Sequence, residues 1–205
     1  MKKLTIYGIA LAGLLIAGNL VSCESNKTDD AEHALTDLSD TMGDSKDMAK
    51  NQNDEKFKDS PIKDDARFAV SAADGGLLEV ELAKLAESNA SSQVVKDFSQ
   101  HIIEDHSKAN EELKAIALSK SIALPDALSE KNLKKVDKLS KKTGAEFDKD
   151  YIDLMVSDHK DDIKAFEKEA EKGNDPELKA FAAGKIATLN HHLKMAEEAQ
   201  DALKK

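Results

Sequence analysis

The chain lacks several features that would point directly to a fold or an activity. Its 205 residues include one cysteine, three prolines, no tryptophan and only 4% aromatic residues. A single cysteine excludes an intramolecular disulfide bond, so packing must stabilise the fold. The sequence contains no Gly-x-Ser-x-Gly motif and no glycine-rich phosphate loop, and we identify no catalytic residues in it.

Only one long apolar run is present, from Leu4 to Leu20, and it follows two lysines at the N-terminus. A short basic region, an apolar core and small residues before a cleavage point are typical of a secretory signal. The sequence Leu20-Val21-Ser22-Cys23 resembles a lipobox, so we expect residues 1–22 to be a lipoprotein signal peptide and Cys23 to carry lipid, palmitate included. The alternatives are a plain signal peptide, or a buried helix with an accidental cysteine.

This interpretation predicts a location in the cell envelope of a Gram-negative bacterium. Glu24 differs from the aspartate that retains enterobacterial lipoproteins in the inner membrane, which favours the outer membrane, with the protein facing the periplasm or the cell surface. Removal of the signal, with Lys2 and Lys3, changes the formal net charge from −10 to −12. Such a chain repels nucleic acid and anionic lipid, so we expect no nucleic-acid partner and a membrane contact through the lipid on Cys23. A protein partner and a homo-oligomer both stay open.

The composition changes near residue 64. Residues 23–63 are rich in Asp, Lys, Ser and Asn, and we interpret them as the lipidated cysteine followed by an acidic flexible linker. A coil of this length spans on the order of 35 Å, enough to hold a domain clear of the lipid headgroups. Leu35, Leu38 and Met42 are spaced like one weak helical face, which also permits a marginal helix over residues 31–43.

Residues 64–205 are predicted to be all-α, because apolar residues recur at spacings of three and four without any alternating β-branched run. The short links predict two antiparallel hairpins, and the long middle connection predicts a four-helix bundle with a crossover. Gly144 is predicted to stop the short helix, and Gly173 to follow the third main helix as a C-cap residue. The predicted helices are Asp64–Ser88, a second from N-caps Ser91 and Ser92 to before Pro125, a short Ser129–Lys141, Ala145–Lys172, and a fourth opened by Asp175 and Pro176.

An internal repeat supports this arrangement. The segment from Lys96 to His106 matches the segment from Lys149 to His159 at an offset of 53 residues, in its Lys-Asp-aromatic and Asp-His pairs and in its apolar pattern. The second and third main helices therefore look like copies of each other. If the crossover makes them parallel, His106 and His159 lie at similar heights in the bundle.

Four ionisable residues interrupt the apolar stripes of the four main helices: Glu79, His106, His159 and His192. Burying such groups costs several kcal/mol unless they are paired or bind a metal ion. One hypothesis is a metal site in the bundle core, and the other is a hydrogen-bonded polar layer that fixes the register of the helices. The absence of any Glu-x-x-His sequence, which supplies ligands in carboxylate-rich metal bundles, favours the second.

Other details bear on the same choice. Reflection about the hairpin turns places Glu79 nearer His101, and His192 nearer Leu154, about one helical turn of 5.4 Å from the other two histidines. Asp105 and Asp158 precede histidines and point about 100° away, so they face solvent, pair with lysines, or orient a neighbouring imidazole. Copper is a further hypothesis, because each of two methionines shares a face with a histidine, although methionine there is usually core filler. These pairs are Met155 with His159, and Met195 with His192. His33, His101 and His191 are expected to face solvent.

The residues carry a resemblance to a known family. The pattern of Phe68, Gly75-Gly76 and Glu79, the two segments ending in Asp105-His106 and Asp158-His159, and the closing His192-Leu193 resemble the bacterial domain of unknown function 4142 (DUF4142). The resemblance implies a ferritin-like helical bundle in the cell envelope and supplies neither a substrate nor catalytic residues. It marks Glu79, His106, His159 and His192 as the positions to test.

The sequence thus predicts a lipid-anchored envelope protein with a non-enzymatic binding or stress-associated role. The alternative is a bundle that binds iron, zinc or copper and acts as a metal store or an oxidoreductase. In that case the cofactor is a transition metal, and Glu79, His106, His159 and His192 are its candidate ligands.

Overall fold

The computed structural model describes residues 44–204, which form six helices and no strand. None of these helices is both long and apolar enough to cross a membrane. The signal peptide, Cys23, the first part of the linker and the predicted helix over 31–43 lie outside the described residues. The helices are α1 (Ser45–Lys56), α2 (Lys63–Asn89), α3 (Gln93–Lys120), α4 (Glu130–Ser140), α5 (Gly144–Lys172) and α6 (Pro176–Ala202).

The all-α prediction is confirmed, and α2 to α6 begin and end close to the predicted residues. Asp175 opens α6 as predicted, and its carboxylate accepts hydrogen bonds from two N–H groups in the first turn. Ser129, predicted as the first residue of the short helix, is its N-cap instead, and its hydroxyl accepts a hydrogen bond from the Asn132 N–H. The predicted serine cap of α3 is absent. Ser92 occupies the N-cap position, but its side chain forms no hydrogen bond with the first turn of the helix. Gly144 begins α5 instead of ending α4, with a φ of +64° that a residue with a side chain rarely adopts.

Contacts at the two ends of the bundle establish its topology. At one end, Asp65 near the start of α2 accepts hydrogen bonds from the N–H groups of Asn174 and Asp175, which link α5 to α6. At the other end, Asp148 near the start of α5 accepts from the N–H groups of Ser91 and Ser92, which link α2 to α3. Consequently α3 and α5 begin at the same end and run parallel. The predicted crossover, which contains α4, is thus confirmed, and a single long crossover is the connectivity of ferritin-like bundles.

The core consists of two apolar clusters separated by a polar layer. One cluster contains Leu82, Phe98 and Tyr151, and the other contains Leu113 and Phe166, among other residues. In α3, α5 and α6 one histidine lies in sequence between the positions that belong to the two clusters, and in α2 a glutamate follows Leu78, the first residue of that helix in the cluster of Leu82. These residues are Glu79, His106, His159 and His192, with 1%, 7%, 0% and 0% of their surface exposed. The predicted inward orientation of all four is confirmed.

The linker prediction needs a correction, because Ser45–Lys56 is a helix that packs on the bundle. Asn53 is 1% exposed, and its amide both donates to the Ala123 carbonyl and accepts from the Ala123 N–H, each at 2.8 Å. Arg67 on α2 donates two hydrogen bonds to the Asp54 carboxylate. Polar contacts rather than an apolar stripe therefore position α1, which is why the composition of this segment resembled that of a flexible linker.

Candidate metal centre

Three imidazole rings meet at the centre of the bundle, one each from α3, α5 and α6. The ring centroids of His106, His159 and His192 lie 5.2 to 5.5 Å apart. One nitrogen of each ring can be chosen so that all three nitrogens lie within 4.8 Å of one another. The predicted equal height of His106 and His159 is therefore confirmed, and His192 lies in the same layer.

His159 presents a nitrogen without a partner. Its Nδ1 lies 3.0 Å from the Met155 carbonyl oxygen. Because a carbonyl can only accept, the proton of the ring is on Nδ1 and Nε2 carries a lone pair. This Nε2 is buried and has no hydrogen-bond partner within residues 44–204. The α5 backbone thus fixes the tautomer of His159 and leaves Nε2 with an unpaired lone pair.

His192 is oriented by a carboxylate from the neighbouring helix. Its Nε2 lies 3.1 Å from Oδ2 of Asp105, so the ring donates a hydrogen bond to that oxygen and carries its lone pair on Nδ1. Three roles were predicted for the aspartates that precede histidines, and Asp105 has the role of orienting a neighbouring imidazole. Asp158 fills the pairing role, because its carboxylate lies 3.4 Å from Nζ of Lys135. The Nδ1 of His192 lies 3.2 Å from Nε2 of His106.

Glu79 connects to this group through one oxygen only. Its Oε2 lies 2.6 Å from Nδ1 of His106. Its Oε1 lies 3.3 Å from Nδ1 of His159, but that N–H is directed at the Met155 carbonyl, and no described residue forms a hydrogen bond with Oε1. Glu79 therefore holds the imidazole of His106 and keeps a second, buried oxygen free.

The predicted one-turn offset of Glu79 and His192 from the other two histidines is wrong. The links between the hairpin helices are residues 90–92 and 173–175, slightly beyond the turn centres that the reflection assumed. The long Glu79 side chain covers the remaining distance to His106. As a result, all four predicted residues lie in one layer.

Burial determines which groups of the layer are charged. It lowers the pKa of His106 and of His192 to about 4, and it lowers the pKa of His159 despite the opposing effect of the Glu79 carboxylate. It raises the pKa of Glu79 to about 8. At neutral pH the imidazoles are neutral and Glu79 is protonated, because nothing nearby compensates fully for the lost hydration.

With these protonation states, the hydrogen bonds all run in one direction. Glu79 donates from Oε2 to Nδ1 of His106, which donates from Nε2 to Nδ1 of His192, which donates from Nε2 to Asp105. Every proton in this series has one donor and one acceptor. Only Nε2 of His159 and Oε1 of Glu79 are outside it, and both are buried.

A carboxylate cluster lies beside the imidazoles and was not predicted. Oxygens of Glu79, Asp158 and Asp162 lie within 4.8 Å of one another. Burial, together with the charges of Glu79 and Asp158, raises the pKa of Asp162 to about 9. The sequence did contain a signal, since His159 and Asp162 are three residues apart and Asp158 and Asp162 are four apart, spacings that share a helix face.

A cavity of about 140 Å³ adjoins the layer, and Glu79, His106 and Asp162 form part of its wall. A side chain at position 76 would intrude there, because a Cβ on Gly76 would lie 2.1 Å from Oδ1 of Asn110, another wall residue. The glycine thus permits the close approach of α2 and α3. The cavity gives the polar layer a volume in which small ligands can be accommodated.

The remaining predicted residues lie away from the imidazoles. His101 and His191 are exposed, as predicted, and His33 is outside the described residues. Met155 and Met195 pack in or against the apolar cluster that contains Phe98, a position typical of core-filling methionine.

Together these features define a helical bundle with one crossover and a buried layer of three histidines and a glutamate. The chain belongs to the family described as Domain of unknown function (DUF4142), which matches residues 46–199. The match begins within α1 and ends within α6, so it includes the helix that the sequence pattern had assigned to the linker. Comparison with curated proteins and with solved structures finds no match.

Proposed function

We propose that this protein binds one transition-metal ion in the core of its bundle, through Nε2 of His106, Nε2 of His159 and Nδ1 of His192. The observation that carries the proposal is that each imidazole has one nitrogen directed at an oxygen, from Glu79, Met155 or Asp105. The other nitrogens of His106 and His192 lie 3.2 Å apart, and the other nitrogen of His159 is buried without a hydrogen-bond partner among the described residues. Histidines that bind metals are held in this way by partners on their second nitrogen.

The competing interpretation, a polar layer that only fixes helix register, accounts less well for the unpaired atoms. Buried polar groups that serve a structural role are normally hydrogen-bonded, and each one left unpaired costs about 1–3 kcal/mol. Here Nε2 of His159 and Oε1 of Glu79 are both buried and unpaired. Both atoms have a lone pair of electrons and no proton, so a bound cation would stabilise them.

The ligand set indicates which ions fit. Imidazole nitrogens suit zinc, copper, iron and nickel. The 3.2 Å between Nε2 of His106 and Nδ1 of His192 is near the separation of about 3.3 Å between two ligands of a tetrahedral zinc ion. A single three-nitrogen site holds one ion, which favours binding or transfer of an ion over a mineral store.

An oxidoreductase or other metal-dependent enzyme is the second candidate. It is favoured by the cavity, whose wall includes His106 and Glu79 and which a small substrate could enter. Three protein ligands also leave a coordination position open, as in catalytic zinc sites. Ion binding is the primary proposal, because it requires only the three imidazoles that the layer brings together.

Metal loading tests the proposal directly. Purified chain from residue 24 onward is exposed in turn to zinc, copper and iron, dialysed, and analysed for its elements. We expect one ion per chain with at least one of these metals, and loss of that ion in the His106→Ala and His159→Ala variants. Protein that stays free of metal, with variants that lose only stability, would contradict the proposal.

Binding should also release a proton. His106 donates its Nε2 proton to His192 in the metal-free protein, so an ion can bind Nε2 only when that proton is on Nδ1 and faces Glu79. Glu79 then gives up its own proton to solvent. Calorimetry at pH 7 in buffers of different ionisation enthalpy should measure about one proton released per ion. The Glu79→Gln variant should release none, and equal release from both proteins would refute this account of the layer.

We further propose that Cys23 carries the lipid that anchors the protein to the outer membrane, facing the periplasm or the cell surface. The lipobox-like sequence before Cys23 supports this, and the acidic mature chain offers no basic patch as an alternative anchor. In cells labelled with radioactive palmitate, the wild type should be labelled and sediment with membranes. Cys23→Ala should be unlabelled and soluble, and its continued sedimentation with the outer membrane would show that acylation is not the anchor.

A further inference from the structure

We propose that the bundle holds a second cation, bound by the carboxylates of Glu79, Asp158 and Asp162 next to the three-histidine position. The inference extends the proposed function but does not depend on it, because none of the three carboxylates is among the nitrogen ligands. The position accepts a hard divalent cation, such as manganese, magnesium or calcium.

The first observation is the unpaired oxygen of Glu79. This residue is 1% exposed, its Oε2 is occupied by His106, and its Oε1 has no hydrogen-bond partner within the described chain. One carboxylate oxygen of Glu79 lies within 4.8 Å of oxygens of Asp158 and Asp162, which are equally close to each other. Three carboxylates from α2 and α5 therefore lie close together, and the one from Glu79 has an oxygen without a hydrogen-bond partner.

The second observation is the shortage of positive charge around these carboxylates. Within residues 44–204, Asp162 forms neither a hydrogen bond nor an ion pair, although it is only partly exposed. The ammonium group of Lys135 lies 3.4 Å from Asp158 and is itself 28% exposed. Lys135 pairs with Asp158 alone, so Asp162 and Oε1 of Glu79 have no partner among the described residues, and a divalent cation would supply one.

The third observation is the available space. Glu79 and Asp162 both form the wall of the cavity of about 140 Å³. A water molecule takes a share of about 30 Å³ in the liquid, so the cavity has room for an ion and several waters. Hard cations such as magnesium keep several waters when protein carboxylates bind them, and their sites therefore need this volume.

The two positions differ in chemistry, which predicts two different metals. Oxygen ligands suit magnesium, calcium and manganese, while imidazoles suit zinc and copper. Glu79 joins the positions, because its Oε2 lies 2.6 Å from Nδ1 of His106 and its carboxylate is also a member of the cluster with Asp158 and Asp162.

Manganese is the probe, because its paramagnetic signal distinguishes bound from free ion. The chain from residue 24 onward is saturated with zinc and titrated with manganese by electron paramagnetic resonance, and the zinc content is measured afterwards. We expect one manganese in addition to one zinc. Asp162→Asn should weaken manganese binding by about tenfold or more while zinc stays bound. Asp161→Asn, a change of the exposed neighbouring residue, is the matched control and should bind as the wild type does.

The outcomes separate this inference from the proposed function. Absence of manganese binding to zinc-loaded protein, or binding that Asp162→Asn and Asp161→Asn affect equally, overturns the second position and leaves the three-histidine site intact. Manganese binding without zinc binding supports the carboxylate position and contradicts only the three-histidine site. Should Asp162→Asn fail to fold by circular dichroism, Asp158→Asn removes a second carboxylate of the cluster and is expected to give the same loss.

Discussion

Replacement of His159 by glutamine is expected to weaken zinc binding by about 100-fold or more, since even a lost partner of a ligand costs 10 to 100-fold. His159 is fully buried and its Nε2 has no other partner in the described structure, so no other role accounts for that atom. The amide of glutamine fills part of the same volume but is a poor zinc ligand. Competition against a coloured chelator measures the affinity.

The control for this prediction is His101→Gln. His101 lies on α3 and is exposed, and it belongs to neither the imidazole group nor the carboxylate cluster. Its replacement should leave the affinity unchanged. A second readout guards against a general loss of fold: zinc should raise the melting temperature of the wild type and of the control, but not that of His159→Gln. Equal affinities for the two variants would refute the assignment of His159 as a ligand.

The second large effect is a pH dependence of stability that Glu79 confers on the metal-free protein. Burial raises the pKa of Glu79 from 4.5 to about 8. The folded state therefore holds this proton more tightly than the unfolded chain does. The stability that Glu79 contributes is fully present below about pH 4.5 and is lost as the pH rises toward 8.

Glutamine at position 79 imitates the protonated acid and does not titrate. We expect the free energy of unfolding of the wild type to fall relative to Glu79→Gln by on the order of 3–5 kcal/mol between pH 5 and pH 8. Urea unfolding in the presence of a chelator measures the difference. Glu81→Gln, a change of an exposed residue on the same helix, should give a curve parallel to that of the wild type. Parallel curves for Glu79→Gln as well would show that Glu79 ionises normally in the fold.

The histidines change stability in the opposite sense and do not obscure this comparison. Burial lowers the pKa of His106 and His192 from 6.5 to about 4. Their contribution is present above pH 6.5 and is lost as the pH falls toward 4. Because both proteins contain them, their effect largely cancels in the difference between wild type and variant, and it falls mostly on the acidic side of the measured range.

The polar layer could be predicted from the sequence because each of its members interrupts an apolar stripe. That logic placed Glu79, His106, His159 and His192 in the core, and the repeat placed two of them at one height. It could not establish which atoms are paired, because the tautomer of His159 depends on the Met155 carbonyl and the orientation of His192 depends on Asp105 from another helix.

The carboxylate cluster escaped prediction for a related reason. In a Glu-x-x-His sequence the carboxylate precedes the histidine, whereas here Asp162 follows His159 by three residues. The repeat does not reveal it either, because the position equivalent to Asp162 in the first copy is Ala109. The two copies therefore share their Asp-His pairs, and only the second copy has a further carboxylate three residues after the histidine.

The apolar periodicity of the sequence also did not predict where the folded domain begins. The helix α1 is held by the Asn53 amide and the Asp54 carboxylate, and such polar contacts leave no regular pattern in a sequence. Composition alone assigned the segment to the linker. The family match from residue 46 agrees with the structure in counting this helix as part of the domain.

X-ray absorption at the zinc edge tests the central claim most directly, because it reports the atoms bound to the ion. For the zinc-loaded chain we predict three imidazole nitrogens at about 2.0–2.1 Å, with the multiple-scattering features of histidine rings. The His159→Gln variant should lose one of them. A spectrum with oxygen neighbours only, or one that the variant leaves unchanged, would contradict the claim that the buried histidines form a metal site.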